Sequence, residues 1–236
     1  MHLFYCPDIT TTHELTEEES GHAVRVLRLA EGAEISIIDG AGTFHRALIT
    51  RAHPKRCGVE ILESRVEAKV WPVWIHVAVA PTKNLDRIEW FVEKATEIGI
   101  DAITLLKCRF SERKEVKTER LQKILVSATK QSLKATLPRL EGMTEFRRLV
   151  EQPFDGQKFI AHCYRDAERK LLAREYRPGS NILVLIGPEG DFSEEEVALA
   201  LEHGFIPVSL GDSRLRTETA ALVACHTPHV VNQMQG

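Results

Sequence analysis

From Val73 onward the sequence alternates short apolar runs with helix-patterned segments, and this alternation restricts the fold more than any other feature. Strands are expected at Val73–Ala80, Ile103–Lys107, Phe159–His162, Ile182–Ile186 and Pro207–Leu210. Helices are expected at Asp86–Ile98, closed by the C-cap glycine Gly99, at Glu119–Leu133, at Glu194–His203 before Gly204, and at Thr217–Val231. Strand–helix order of this kind implies an α/β protein, its parallel sheet covered by helices on both faces. The first 70 residues differ. Thr16 and Glu19 have the spacing of a capping box for a helix over Glu17–Leu29. Short strands then follow at Glu34–Ile38, Phe44–Thr50 and Val59–Leu62, the first pair joined by Asp39-Gly40-Ala41-Gly42. We expect a small β-domain over residues 1–70 and an α/β domain over 71–236, with Trp71-Pro72 at the junction.

Charge narrows the classes of partner. With 31 Lys+Arg against 34 Asp+Glu the chain carries a net charge of −3, so a polyanion must be met by a local patch. One stretch supplies it. Between Lys107 and Arg139 lie ten basic residues, Arg109, Arg113, Lys114 and Lys130 among them, against Glu112, Glu115 and Glu119. Such an excess is the footprint of phosphate contact, although a solvated charged helix would look the same for any single lysine. His22, Arg25 and Arg28 recur every three residues and are expected to share a helix face that touches a polyanion or merely covers the β-domain. Apolar runs such as Ile182–Ile186 are far shorter than the ~20 residues of a membrane helix, and residues 1–16 show no signal-peptide pattern. The five cysteines (Cys6, Cys57, Cys108, Cys163, Cys225) are scattered without a CxxC pair, as expected of reduced thiols in a cytoplasmic protein. Cys225, His226 and His229 have metal-like spacing but no second ligand cluster, so no metal is expected.

Two stretches carry the chemistry. In the first, Ile182–Ile186 runs into Gly187-Pro188-Glu189-Gly190-Asp191-Phe192, and Ser193 with Glu196 forms a capping box that opens a helix. In the second, Val208-Ser209-Leu210 is followed by Gly211-Asp212-Ser213-Arg214-Leu215-Arg216 and the helix at Thr217. Glycines at these turns let backbone groups approach a ligand, and ligands of open parallel sheets sit at the carboxyl ends of strands. Neither turn is a Walker loop or a GxGxxG motif. An ordinary connector remains the plain alternative for the first, and pairing of the arginines with Glu189 or Glu218 for the second.

Together these stretches resemble the SPOUT methyltransferases, specifically the RsmE family of small-subunit ribosomal RNA uridine-N3 methyltransferases. The resemblance extends to Met1-His2-Leu3-Phe4-Tyr5, to His22–Leu29, to Glu93-Lys94-Ala95-Thr96-Glu97-Ile98-Gly99 and to Lys130-Gln131-Ser132-Leu133. Many relatives have Arg-Ile where this chain has Ser213-Arg214, while Leu215–Ala220 keep the family pattern. The resemblance implies a PUA-like RNA-binding barrel followed by a domain with a deep trefoil knot. It also implies a homodimer that uses S-adenosylmethionine and acts on 16S ribosomal RNA in the small ribosomal subunit. By motif match, Leu185, Gly187, Pro188, Glu189 and Gly190, with Leu210, Gly211, Ser213 and Leu215, would line the cofactor. Uridine N3 becomes nucleophilic only on losing its proton; Arg216, with Arg214 beside it, would stabilise the resulting charge. Glu189 or Glu218 would take the proton. The competing readings are methylation of another nucleotide and a non-catalytic RNA-binding module for ribosome assembly.

Overall fold

The computed structural model describes residues 2–164 and 170–234. The chain forms two compact units, Met1–Val70 with Val126–Leu137, and Trp71–Leu125 with Pro138–Gly236.

The first unit comprises β1 (Leu3–Tyr5), α1 (Ile9–Thr12), α2 (Glu17–Gly21), β2 (Glu34–Ile38), β3 (Thr43–Arg51) and β4 (Gly58–Val66). Its sheet runs β1-β2-β3-β4, with β1 parallel to β2 and the other pairs antiparallel. Strand alternation sends Ile35, Ile37, Ala47 and Ile49 inward to meet Phe4, Ile9 and Val59. The β2–β3 turn works as anticipated. Gly40 and Gly42 take φ of 78° and 111°, and Asp39 Oδ1 accepts the N–H groups of Ala41 and Thr43 at 2.8 and 2.9 Å.

The first helix corrects two expectations. α2 stops at Gly21 and continues only as a π-helical turn over His22–Val26, while Arg28 lies beyond it at φ 56°. The wider i→i+5 turn breaks the three-residue stacking, so His22, Arg25 and Arg28 do not share an α-helical face, although all three are exposed. Only half of the capping box forms: Thr16 Oγ1 accepts the Glu19 N–H at 3.3 Å, but the Glu19 carboxylate does not return. It faces inward instead, accepting the Tyr5 N–H at 3.0 Å and the Lys130 ammonium at 2.6 Å. That pair anchors residues 126–137 within this unit, together with Leu137 N–H to Gly40 O at 2.9 Å.

The second unit holds β5 (Ile75–Val79), α3 (Leu85–Ile98), β6 (Ala102–Lys107), the start of α4 (Glu119–Gln131), β7 (Arg139–Glu145), α5 (Phe146–Val150), β8 (Gln157–Ala161), β9 (Lys170–Leu171), α6 (Leu172–Glu175), β10 (Ile182–Ile186), α7 (Glu194–Glu202), β11 (Ile206–Ser209) and α8 (Thr217–Gln233). The seven strands are all parallel, in the order β7-β6-β5-β10-β8-β11-β9. β10 thus lies between β5 and β8, both of which precede it in the chain. Every residue of β10 is buried because both faces are covered. Leu183 and Leu185 join Phe146, Phe192 and Phe205 beside α5 and α7, while α8 packs against β5, β10 and α3. β7, α5, β9 and α6 were not anticipated. β7 is an edge strand whose residues are at best half-buried, so it needs no apolar run.

Candidate active site

Parallel strands place all their carboxyl ends at one edge of the sheet, and the two glycine-containing stretches lie there. The first is tightly built. Ile186 O accepts the Ala80 N–H at 2.9 Å, and Pro188 O accepts the Asp191 N–H at 3.0 Å. Asp191, at φ 65°, uses its carboxylate to hold the N–H groups of Phe192 at 2.8 Å and Cys163 at 2.7 Å. Gly187 sits so close to the buried Phe192 that a Cβ there would lie 3.2 Å from its ring and its backbone nitrogen. The capping box expected at Ser193 and Glu196 is complete. Its second carboxylate oxygen reaches further, accepting the Arg109 N–H at 2.8 Å and so fixing the loop after β6.

The second stretch leaves β11, passes the exposed Gly211, Asp212, Ser213 and Arg214 and the half-buried Leu210 and Leu215, and enters α8 with Arg216 as N-cap. Arg216 is exposed, and its guanidinium has no partner among the described residues. Glu218 is buried: Oε1 lies 3.9 Å from Arg87 Nε, while Oε2 is a buried acceptor without a hydrogen-bond donor among the described residues. Glu189 is exposed, and its Oε1 accepts the Lys83 N–H at 3.1 Å. Both carboxylates therefore meet the same short segment, the β5–α3 connection and the first turn of α3. Lys83 and Arg87 were missed from sequence, although Pro81-Thr82-Lys83-Asn84 follows a strand into a helix at the same sheet edge. The nearby Cys108 thiol is pushed up by burial, with Glu196 adding to the effect, so it stays protonated and is no nucleophile.

The basic stretch divides on inspection. Lys107 pairs with Glu145 at 2.5 Å, Arg120 with Glu89 at 2.7 Å and Lys130 with Glu19 at 2.6 Å. Arg113 is half-buried and donates to Lys83 O at 2.6 Å and Thr82 O at 3.4 Å, bracing the β5–α3 connection. Arg109, Lys114 and Lys117 remain exposed, without ion pairs among the described residues. The Cys225–His229 group is spent on structure, since Cys225 Sγ and His229 Nε2 both contact Gly99 O, at 3.7 and 2.6 Å. No group of three metal-ligating side chains occurs among the described residues, and no described helix is long and apolar enough to cross a membrane. A groove of about 480 Å³ runs along α8, lined by Ile98, Leu222, Val223, Val230 and Met234. Its walls are mostly apolar, with His226 and Thr227 among them, and include none of the residues of the two stretches.

Comparison with known proteins names this arrangement. Residues 69–228 match an RNA methyltransferase domain and residues 15–62 an RNA methyltransferase PUA domain. The ribosomal RNA small subunit methyltransferase E of Synechocystis is 31% identical over 223 residues, spanning 92% of this chain and 72% of that protein. This chain belongs to the ribosomal RNA small subunit methyltransferase E family. A crystal structure of a probable rRNA-methyltransferase from Porphyromonas gingivalis is 42% identical and covers both chains completely, with a TM-score of 0.95. A methyltransferase E from Neisseria gonorrhoeae, solved bound to S-adenosyl methionine, is 29% identical over 98% of each chain, with a TM-score of 0.85. Membership in the methyltransferase E family accounts for the α/β unit and for the PUA-like β-unit ahead of it.

Proposed function

We propose that this chain transfers the methyl group of S-adenosylmethionine to N3 of a uridine in 16S ribosomal RNA, acting on the small ribosomal subunit as a cytoplasmic homodimer. The observation that carries the reading is the convergence of the 187–191 turn and the 210–218 segment on one β5–α3 connection. The residues suit the cofactor. Among the described residues, nothing beyond its chain neighbours lies within 4 Å of where a Cβ of Gly211 would stand, and Glu218 Oε2 is a buried acceptor with no donor. Leu185, Gly187, Pro188, Glu189 and Gly190, with Leu210, Gly211, Ser213 and Leu215, would hold it. When bound, it supplies an electrophilic sulfonium methyl for direct displacement.

The chain supplies alignment and charge. Arg216, at the N-cap of α8, carries a guanidinium with no partner among the described residues, suited to the negative charge that spreads over the uracil carbonyls as N3 is deprotonated. The two carboxylates at hand to take that proton are Glu189, exposed and held by the Lys83 N–H, and Glu218, buried beside Arg87. Insertion of β10 between two earlier strands supports the trefoil knot of the family, and the apolar groove along α8 supports a dimer interface. The division into an RNA-binding domain over 1–70 and a methyltransferase domain over 71–236 belongs to the same proposal.

The deciding experiment is methyl transfer from labelled S-adenosylmethionine to small subunits from a strain lacking this gene. Recovery of 3-methyluridine is expected. Label in another nucleoside would overturn the target, and no transfer together with no cofactor binding would favour the assembly module. Phosphate contact makes a separate prediction. Changing Arg109, Lys114 and Lys117 to glutamine should flatten the slope of log K for RNA binding against log salt by about 2. Neutralising the paired Lys107 and Arg120 should leave it almost unchanged; equal effects from both sets would remove the claim.

A further inference from the structure

The nine phenylalanines include one that stands apart. Phe110 is 48% exposed, whereas Phe4, Phe91, Phe146, Phe159, Phe192 and Phe205 are at most 4% exposed and Phe44 and Phe154 are half-buried. It occupies the loop after β6, at the sheet edge where the site lies, and its Cβ is 3.3 Å from where a Cβ of Gly190 would be. The loop is not slack. Cys108 N–H donates to Ser111 Oγ at 3.0 Å and Ser111 N–H to Cys108 O at 3.1 Å, closing a turn around Phe110. The Arg109 N–H is held by Glu196, and Arg113 is fastened to the carbonyls of residues 82 and 83. A large apolar ring is therefore held half in water on a braced turn beside Gly190.

The surroundings of the ring identify what covers it. Its sequence neighbours are polar, Arg109, Ser111 and Glu112, so its own segment adds no further apolar side chain for a protein partner to dry out. Arg109, Lys114 and Lys117 of the same segment are exposed, as are Glu112 and Glu115, and Glu112 pairs with Lys83 at 3.2 Å. An exposed aromatic ring in a segment that also exposes three cations without ion pairs among the described residues matches single-stranded nucleic acid, whose bases stack on the ring while phosphates meet the cations. We propose that Phe110 is the stacking platform for a base of the RNA substrate at the mouth of the cofactor turn. This rests on the RNA methyltransferase reading above and adds to it a residue that holds the RNA beside Gly190.

Phe110→Leu, Phe110→Ala and Phe110→Trp separate a stacking face from a merely apolar contact. Affinity for a fluorescein-labelled single-stranded oligoribonucleotide, measured by anisotropy, should fall about tenfold in the leucine and alanine variants and remain near wild type in the tryptophan variant. KM for small subunits should rise in parallel, with affinity for S-adenosylmethionine unchanged. Leucine behaving as phenylalanine, or a loss confined to cofactor affinity, would overturn the proposal. Failure of the parent reading is distinguishable: the wild-type chain would then bind RNA without transferring methyl to small subunits, and the anisotropy series would still decide the role of Phe110.

Discussion

Replacing Arg216 with alanine is expected to lower turnover on small subunits by about 10²–10³-fold, the usual cost of losing one donor to a developing oxyanion. Affinity for S-adenosylmethionine should stay within about twofold, because the guanidinium is exposed and makes no hydrogen bond or ion pair with the turn residues that would hold the cofactor. The split between the two readouts is the content of the prediction. An interaction made only as N3 loses its proton lowers kcat and kcat/KM together. If cofactor affinity fell as far as turnover, Arg216 would be a pocket residue and the charge would need another partner. Arg216→Lys keeps a cation without the planar fork, so partial activity would indicate charge, and none would indicate bidentate geometry.

The second large effect concerns the fold. Glu19→Ala should destabilise the first unit by about 3 kcal/mol, since it strands a largely buried ammonium and an unpaired backbone N–H. Side-chain exposure is only 8% for Glu19 and 23% for Lys130, so water offers little substitute. In thermal unfolding of a unit of this size this corresponds to a midpoint about 12–24 °C lower. Glu19→Gln retains an acceptor for Tyr5 and should cost less. A midpoint unchanged in the alanine variant would show that the pair repays no more than its desolvation. The same residues explain why Lys130 is a poor candidate for phosphate contact, for its charge is already met inside the unit.

How far the residues betray the structure depends on how local the cause is. The central strands of the α/β unit were legible because a strand buried on both faces must be apolar throughout, as Ile182–Ile186 is. The Ser193–Glu196 capping box was legible because its two bonds lie within one helical turn. Thr16 and Glu19 have identical spacing, yet the outcome differs. Lys130, 111 residues away, competes successfully for the Glu19 carboxylate, and no window around residue 19 contains that information. The candidate site divides in the same way. Glycines and arginines at 187–190 and 211–216 stand out in their own segments. Lys83 and Arg87 acquire meaning only when the sheet sets β5 beside β10. Arg113 looked like one more phosphate ligand, but its hydrogen bonds to residues 82 and 83 make it a brace.

The placement of β10 also bears on how the chain is made. Its neighbours in the sheet, β5 and β8, end at residues 79 and 161, and β10 begins at residue 182. Until those later residues leave the ribosome, β5 and β8 have no strand between them, and each presents an open, apolar edge to the cell. Sheet completion is therefore delayed and strongly non-local, the regime in which folding is slow and unfinished edges can pair with other chains. Substitutions in β10 should thus lower the yield of soluble protein more than their effect on the finished fold would suggest.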